Sequence, residues 1–388
     1  MHNIYTLNKI SPVGLDRFDG TKYRCSDTME SPDGILVRSA SMHELELPAG
    51  LKAIARAGAG TNNIPVETCT EKGIVVFNTP GANANAVKEL VLCALLLSSR
   101  KIFPGMQWVQ ALKQEDGDIA KQVEKGKGSF VGPEISGKSL GVIGLGAIGI
   151  LVANAAEQLG MRVYGYDPYL SVDAAWGLSR TVIHAKSLAE IYENCDYITL
   201  HVPLTPETKG LVNSASIARM KHGVRILNFS RGELVADEDM LAALGEKQVR
   251  VYVTDFPCAK ALGHPGILAI PHLGASTPES EDNCARMAAD ELVDYLENGN
   301  IRNSVNFPSV EMPRSSALRV GVIHKNIPNM LTSITAAMAT LGINIDNLIN
   351  KSKKENAYTL LDITGDFNDE SAKKLAAIEG IIRVTLYK

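Results

Sequence analysis

The stretch Ser139-Leu140-Gly141-Val142-Ile143-Gly144-Leu145-Gly146-Ala147-Ile148-Gly149 constrains this chain more than any other. Leu140 to Ile143 reads as a buried strand, glycines 144, 146 and 149 as a G-x-G-x-x-G turn, and Ile150 to Leu159 as the helix that the turn opens. A second strand, Met161 to Tyr166, ends in Asp167, 18 residues beyond Gly149. The first glycine permits a tight turn, the second lets backbone approach a pyrophosphate, and the third lets helix pack on strand. Phosphates then meet the helix N-terminus, where unpaired amides and the helix dipole favour anions. A glycine turn kept for structure alone would need neither the second strand nor the acid. The complete set predicts a dinucleotide, with Gly144, Gly146, Ala147, Ile148 and Gly149 at the pyrophosphate and Asp167 receiving the adenine-ribose hydroxyls of NAD.

Composition narrows the partners. The 388 residues, 45% hydrophobic, suffice for two or three domains with cores of their own. Net charge is −4, from 39 basic and 43 acidic residues without long blocks of either sign, so neither nucleic acid nor a membrane surface is an expected partner. Met1-His2-Asn3-Ile4-Tyr5 lacks a signal-peptide pattern, and the longest apolar run, Leu90 to Leu97, is too short to span a bilayer. A cytoplasmic protein acting on small molecules is expected. The six cysteines (25, 69, 93, 195, 258, 284) form no C-x-x-C pair and no Cys/His cluster, which argues against a metal and a disulfide framework.

Ahead of the glycine turn, Ile4 to Leu7, Gly34 to Val37, Leu51 to Ala55 and Gly73 to Phe77 read as strands of a parallel α/β sheet. Arg38 follows the second of these, and Arg56-Ala57-Gly58-Ala59-Gly60 ends the third with backbone amides suited to anions. Ala84 to Arg100 reads as an amphipathic helix leaving this domain, and the polar stretch Gln107 to Gly128 as a surface helix and loop. From Leu140, six strand-like runs alternate with helices and predict a doubly wound sheet, whose ligands sit at the carboxyl ends of the strands. Three of those ends read Asn228-Phe229-Ser230-Arg231-Gly232, Thr254-Asp255-Phe256-Pro257 and Pro271-His272-Leu273-Gly274. Hydride transfer from a 2-hydroxy acid needs a guanidinium for the carboxylate and a near-neutral base for the hydroxyl proton, roles that suit Arg231 and His272. His201, also at a strand end, is the rival base.

Leu140 to Gly149, Leu200-His201-Val202-Pro203-Leu204-Thr205, Asn228 to Gly232 and Pro271 to Thr277 together resemble the D-2-hydroxyacid dehydrogenases. The resemblance implies a Rossmann-type NAD-binding domain (99–275) inserted into a flavodoxin-like substrate domain (1–98 and 276–306), both doubly wound parallel α/β sheets. It implies Arg231 as binder of the substrate carboxylate and carbonyl and His272 as acid/base. Asp255 would lie near the nicotinamide carboxamide, and His201 and Pro203 beside the cofactor. Arg38, Ala57, Gly58 and Asn83 would face the substrate. Val37-Arg38-Ser39-Ala40 is similar to the phosphate-binding strand end of the phosphoglycerate dehydrogenase branch, which implies a phosphorylated 2-hydroxy acid, in the first step of serine synthesis. The alternatives are another member, such as a glyoxylate or hydroxypyruvate reductase, or a non-catalytic NADH-sensing protein on the same scaffold. One departure stands out. The family places a glutamate five residues after the position of Asp255, where it holds the histidine, and this chain has Lys260. His272 is therefore expected to be held by water or backbone, with Glu279 or Glu281 as the alternative.

After the two prolines of 303–313 the pattern becomes βαββαβ: strands at 318–323, 343–349, 357–363 and 381–387, and helices opening at Pro328 and near Asp369. This ferredoxin-like unit (316–388) suits ligand sensing or assembly. Ile323-His324-Lys325-Asn326-Ile327-Pro328 resembles the first loop of an ACT regulatory domain, which implies His324, Asn326 and Asn344 as ligands of a serine effector. Asn329 stands where that loop usually has glycine, and asparagine tolerates the left-handed backbone better than most residues. The resemblance also implies a homodimer or homotetramer.

Overall fold

The computed structural model describes residues 1–388, the side chains of Asp116 and Asp173 excepted, and the chain divides into two compact units, 1–83 with 278–388 and 84–277. Among the described residues no helix is long and apolar enough to cross a membrane.

The first unit opens with a parallel sheet of β1 (His2–Thr6), β2 (Tyr23–Ser26), β3 (Gly34–Val37), β4 (Ala53–Arg56) and β5 (Val75–Phe77) in the flavodoxin-like order β2-β1-β3-β4-β5. Its strands β3 and β4 are apolar at every position but the last of β4, Arg56, because both faces are covered. Ile35, Val37, Ile54 and Val76 join one core, and Leu36, Ala53, Ala55 and Phe77 join another with Ala288, Leu292 and Tyr295 from the helix at 278–298. The edge strand β2 has no counterpart in the sequence reading. It is short and half exposed, so Tyr23-Arg24-Cys25-Ser26 carries no apolar pattern.

The second unit begins with α1 (Ala84–Ser99), whose Val87, Val91, Ala94 and Leu95 pack in the core against Leu140 and Val142. This helix therefore counts with the nucleotide sheet, where the sequence reading had kept it with the N-terminal domain. Next comes α2 (Ile102–Gln110), none of whose residues is buried. The sheet comprises β6 (Ser139–Ile143), β7 (Arg162–Tyr166), β8 (Ile183–His184), β9 (Tyr197–Leu200), β10 (Val224–Asn228), β11 (Val249–Thr254) and β12 (Ile267–Ala269), with α3 (Ala147–Gln158) after β6. All strands are parallel, in the order β12-β11-β10-β9-β6-β7-β8. Chain direction across the sheet reverses between β6 and β9, the crevice at which doubly wound sheets bind ligands. The two-residue β8 makes the sheet seven-stranded rather than six, with His184 on this exposed edge.

The chain then returns to the first unit through α4 (Pro278–Asn298) and enters the tail. β13 (Leu318–Lys325), α5 (Met330–Thr340), β14 (Asn344–Lys353), β15 (Asn356–Thr364), α6 (Asp369–Ala376) and β16 (Ile381–Tyr387) form an antiparallel sheet in the order β14-β15-β13-β16. That is the ferredoxin-like βαββαβ expected. Asn329 caps α5 at φ +69°, so the helix starts at Met330 and Pro328 lies just outside it. Ile334 and Met338 of α5 cover one face of the sheet with Val320, Val322 and Leu361. The other face, with Ile323, Tyr358, Leu360 and Tyr387, joins the core of α4 and the N-terminal sheet.

Candidate active site

Within the second unit the glycine turn has the geometry that its residues predict. Gly144 adopts φ +95°, and a Cβ there would lie 2.4 Å from the His201 carbonyl oxygen. A Cβ on Gly149 would lie 1.9 Å from the Gly144 carbonyl oxygen, so only glycine lets α3 start so close to β6. Beside Gly146, which caps α3, the same test meets no atom within 4 Å. The turn is thus tight toward the protein and open at the helix N-terminus, and it fits a pyrophosphate at the amides of Ala147, Ile148 and Gly149. Asp167 sits at the end of β7 as expected, and its carboxylate accepts from the Leu145 amide at 2.9 Å and the Tyr169 amide at 2.8 Å. Asp167 therefore braces the turn from the end of β7, a contact that sequence spacing did not reveal.

At the same sheet edge the structure brings together Arg231, Asp255 and His272. β10 and β11 pair through Asn228 and Thr254, and β11 and β12 through Thr254 and Ala269, so the residues beyond them leave side by side. Arg231 is exposed, and its Nη1 donates to the Ser230 carbonyl at 2.6 Å. The Asp255 side chain is 1% exposed, and its Oδ2 lies 3.3 Å from Nδ1 of the 59% exposed His272. Burial raises the Asp255 carboxyl above the usual carboxylate range, and the charges of His272 and Arg231 pull it partly back. The Phe256 ring meets the imidazole edge-on at 4.8 Å. The carboxylate that faces His272 is that of Asp255, whereas the sequence pointed to water, backbone, Glu279 or Glu281. Lys260 lies on the surface, paired with Glu238, and Glu281 is engaged by Arg38.

His201 follows β9 directly, near the turn, with Nε2 2.9 Å from the Thr199 hydroxyl and Nδ1 buried without a partner. Burial pushes its pKa down to about 4, so it stays neutral near pH 7 and suits a hydrogen-bonding role better than that of rival base. Pro203 lies in the loop beyond, its carbonyl accepting from Thr208 at 2.7 Å.

The remaining candidates belong to the first unit. Arg38 and Ala57 line a cavity of about 370 Å³ with Lys9, Ser11, Glu281 and Asp282. The Arg38 guanidinium is not free there, since its Nη2 meets Glu281 Oε1 at 2.5 Å. Arg56, at the strand end already singled out for anions, lies beside it and donates from Nε to the Arg38 carbonyl at 3.0 Å. Gly58 accepts from the Thr79 amide at 3.1 Å, and Asn83 is the last residue before α1. In the tail, His324 is buried with Nδ1 at the Lys325 carbonyl (2.8 Å) and Nε2 at the Thr359 hydroxyl (2.9 Å). Asn326 donates to the Lys354 carbonyl at the β14–β15 hairpin, whereas Asn344 pairs with Thr364 at the far end of β15. At about 3.4 Å per residue the two asparagines are roughly 27 Å apart, and the three effector candidates do not form one site within the chain.

Residues 92–274 match the family model for the D-isomer specific 2-hydroxyacid dehydrogenase NAD binding domain. The chain is 34% identical over 287 residues to D-3-phosphoglycerate dehydrogenase of Rattus norvegicus, covering 72% of this chain and 51% of that protein. To the Bacillus subtilis protein of that name it is 33% identical over 293 residues, covering 73% and 53%. The chain spans about half the length of the curated relatives it matches. Among solved structures, NAD+-bound 3-phosphoglycerate dehydrogenase of Entamoeba histolytica superposes with a TM-score of 0.60 at 27% identity, covering 79% of this chain and 98% of that one.

Proposed function

We propose, from the premise that residues 92–274 are a D-isomer-specific 2-hydroxyacid dehydrogenase NAD-binding domain, that the chain is an NAD-dependent D-2-hydroxyacid dehydrogenase acting on D-3-phosphoglycerate, in the first step of serine synthesis. The observation that carries this reading is the convergence of Arg231, Asp255 and His272 on the sheet edge beside the glycine turn. The NAD nicotinamide supplies a hydride acceptor when bound. The amides opening α3 hold its pyrophosphate, and Asp167 takes the ribose hydroxyls and repels a 2′-phosphate. Arg231 clamps the substrate carboxylate and orients C2. His272 takes the C2 hydroxyl proton through Nε2, so the hydroxyl oxygen becomes a carbonyl as C2 gives up its hydride. Arg38 is assigned the phosphate, with Ala57 and Gly58 offering backbone amides at the neighbouring strand end. We further propose a homo-oligomer, since Ile102, Phe103, Met106 and Val109 leave α2 with an uncovered apolar face. Six unpaired cysteines support a cytoplasmic setting.

The test is NADH formation by the purified chain with NAD and D-3-phosphoglycerate, beside glycerate and other unphosphorylated 2-hydroxy acids. Arg38→Ala is expected to lower kcat/KM for the phosphorylated acid roughly 10–100-fold, the worth of a charged hydrogen bond, and to leave the others within about threefold. Equal losses on both would reassign the chain to a reductase of unphosphorylated acids. Tight NADH binding without turnover would make it a sensor. The same assay with added serine tests the tail, where inhibition requires His324 to leave Thr359 or a second chain to supply the missing asparagine.

A further inference from the structure

We infer that the groove between α4 and the segment 300–303 is a binding site for a small primary amine in its ammonium form, with Glu291 as the carboxylate that receives it. The site lies wholly within the first unit and is independent of the reaction proposed for the nucleotide sheet.

Arg286, Met287, Asp290, Glu291 and Asp294 recur at helical spacing on one side of α4 and, with Arg302, line a cavity of about 330 Å³. Most of its polar groups are already matched. Asp290 meets Arg17 at 2.6 Å, Asp294 accepts from Asn298 and Asn300 at 3.0 Å each, and Arg302 meets Glu311 at 2.7 Å. Glu291 is the exception. It is 6% exposed, its Oε1 accepts from Asn303 at 2.7 Å, and its Oε2 is buried without a partner. Neither protonation state satisfies that oxygen, since a carboxylate lacks a donor there and a carboxylic O–H lacks an acceptor. A cation carrying N–H groups supplies donor and charge together.

Charge and shape choose the ligand. The guanidiniums of Arg17, Arg286 and Arg302 stand against the carboxylates of Asp290, Glu291, Asp294 and Glu311, so an ionised Glu291 leaves one negative charge unmatched. An ammonium balances it, and Met287 offers an apolar wall to a short alkyl stem. A metal ion fits less well, because among the described residues no three His, Cys, Asp or Glu side chains are grouped to hold one. Burial, with the Asp290 charge, raises the Glu291 carboxyl, and Asn303 and Arg302 only partly offset it, so the group is protonated near neutral pH before the amine arrives. Binding then sends that proton to solvent: the carboxylic acid and R–NH3+ become a carboxylate–ammonium pair, and one H+ is released.

The test uses the full chain at about pH 7 in amine-free buffer, with propylammonium chloride as the probe and tetramethylammonium, sodium and magnesium chlorides at equal ionic strength as comparisons. Propylammonium is expected to raise the melting temperature of the transition that includes α4 saturably, by roughly 3–6 °C at about tenfold the half-saturating concentration. Calorimetry in buffers of different ionisation heat is expected to show about one proton released per amine. Tetramethylammonium carries the charge without N–H donors, and it and the two metal salts are expected to leave the melt unmoved. Glu291→Gln, which keeps the Asn303 bond, is expected to lose both the shift and the proton. No saturable shift in the wild type would overturn the inference whether or not the variant folds. So would an equal shift with every salt, which is screening, an undiminished shift in Glu291→Gln, or a shift produced by magnesium and not by the amine.

Discussion

Glu291 of α4 shows what a buried side chain does when no motif announces it. It is 6% exposed, its Oε1 accepts from Asn303 at 2.7 Å, and its Oε2 has no partner. Burial, partly offset by Asn303, pushes its pKa up to about 8. The folded chain therefore keeps this proton where the unfolded chain, with a carboxyl near 4.3, has lost it. Stability from this group is complete at low pH and declines from about pH 4 to about pH 8. Glu291→Gln keeps the Asn303 bond without the titration, so thermal melts should match the wild type near about pH 4 and show the variant increasingly stabler toward about pH 8. A melting difference that does not grow with pH would refute this account. The contrast with Arg231 and His272 is physical. Those two were legible because strand-end position and residue type name their chemistry, whereas Glu291 is an ordinary acid in a helix until packing removes its water. The Asp255–His272 contact escaped the sequence reading for a related reason, because strand register creates it and spacing along the chain does not.

Elements were readable wherever period and punctuation agreed. The β6–turn–α3 segment states its own conformation, since Gly144 and Gly149 occupy positions where a Cβ would strike backbone. The strands β2 and β8 were not readable, being edge segments of four and two residues whose pairing supplies what their side chains do not. α2 tells the opposite story, with a helical pattern and no core to fill. Ile102, Phe103, Met106 and Val109 are each 41–56% exposed, and these four large apolar side chains on one nine-residue helix are the face assigned to the proposed homo-oligomer. Replacing Phe103 and Met106 together with aspartate should leave the fold intact and lower the solution mass measured by light scattering toward that of one chain. A wild-type chain that is already monomeric, or an oligomer indifferent to both charges, would remove α2 from the interface.

For the chain as a whole, the tail is the point at which reading by segments fell short. Its βαββαβ pattern was legible and suggested a separable module, yet only one face of its sheet is closed by its own helices. The other face shares a core with α4 and the N-terminal sheet, where Tyr387 packs on Tyr295 and the Tyr358 hydroxyl donates to the Gly299 carbonyl at 2.8 Å. A buried ion pair fastens the same seam: Arg319 meets Asp362 at 2.6 Å, both side chains fully buried, and its Nη1 also donates to the Asn298 and Met312 carbonyls. The Tyr358–Gly299 and Arg319–Asn298 bonds join the tail to the end of α4, across sequence distances that no periodicity encodes. Two consequences follow for unfolding. The tail should melt together with residues 1–83 and α4, because they share one core, while the nucleotide unit, with its own cores, gives a separate transition. A chain ending at Pro313 should keep the nucleotide transition and lose or sharply lower the other, since Tyr295, Leu296 and Phe307 would be laid open to water. Calorimetry of the two chains decides between this and an autonomous tail, for which the shortened chain would keep both remaining transitions unshifted.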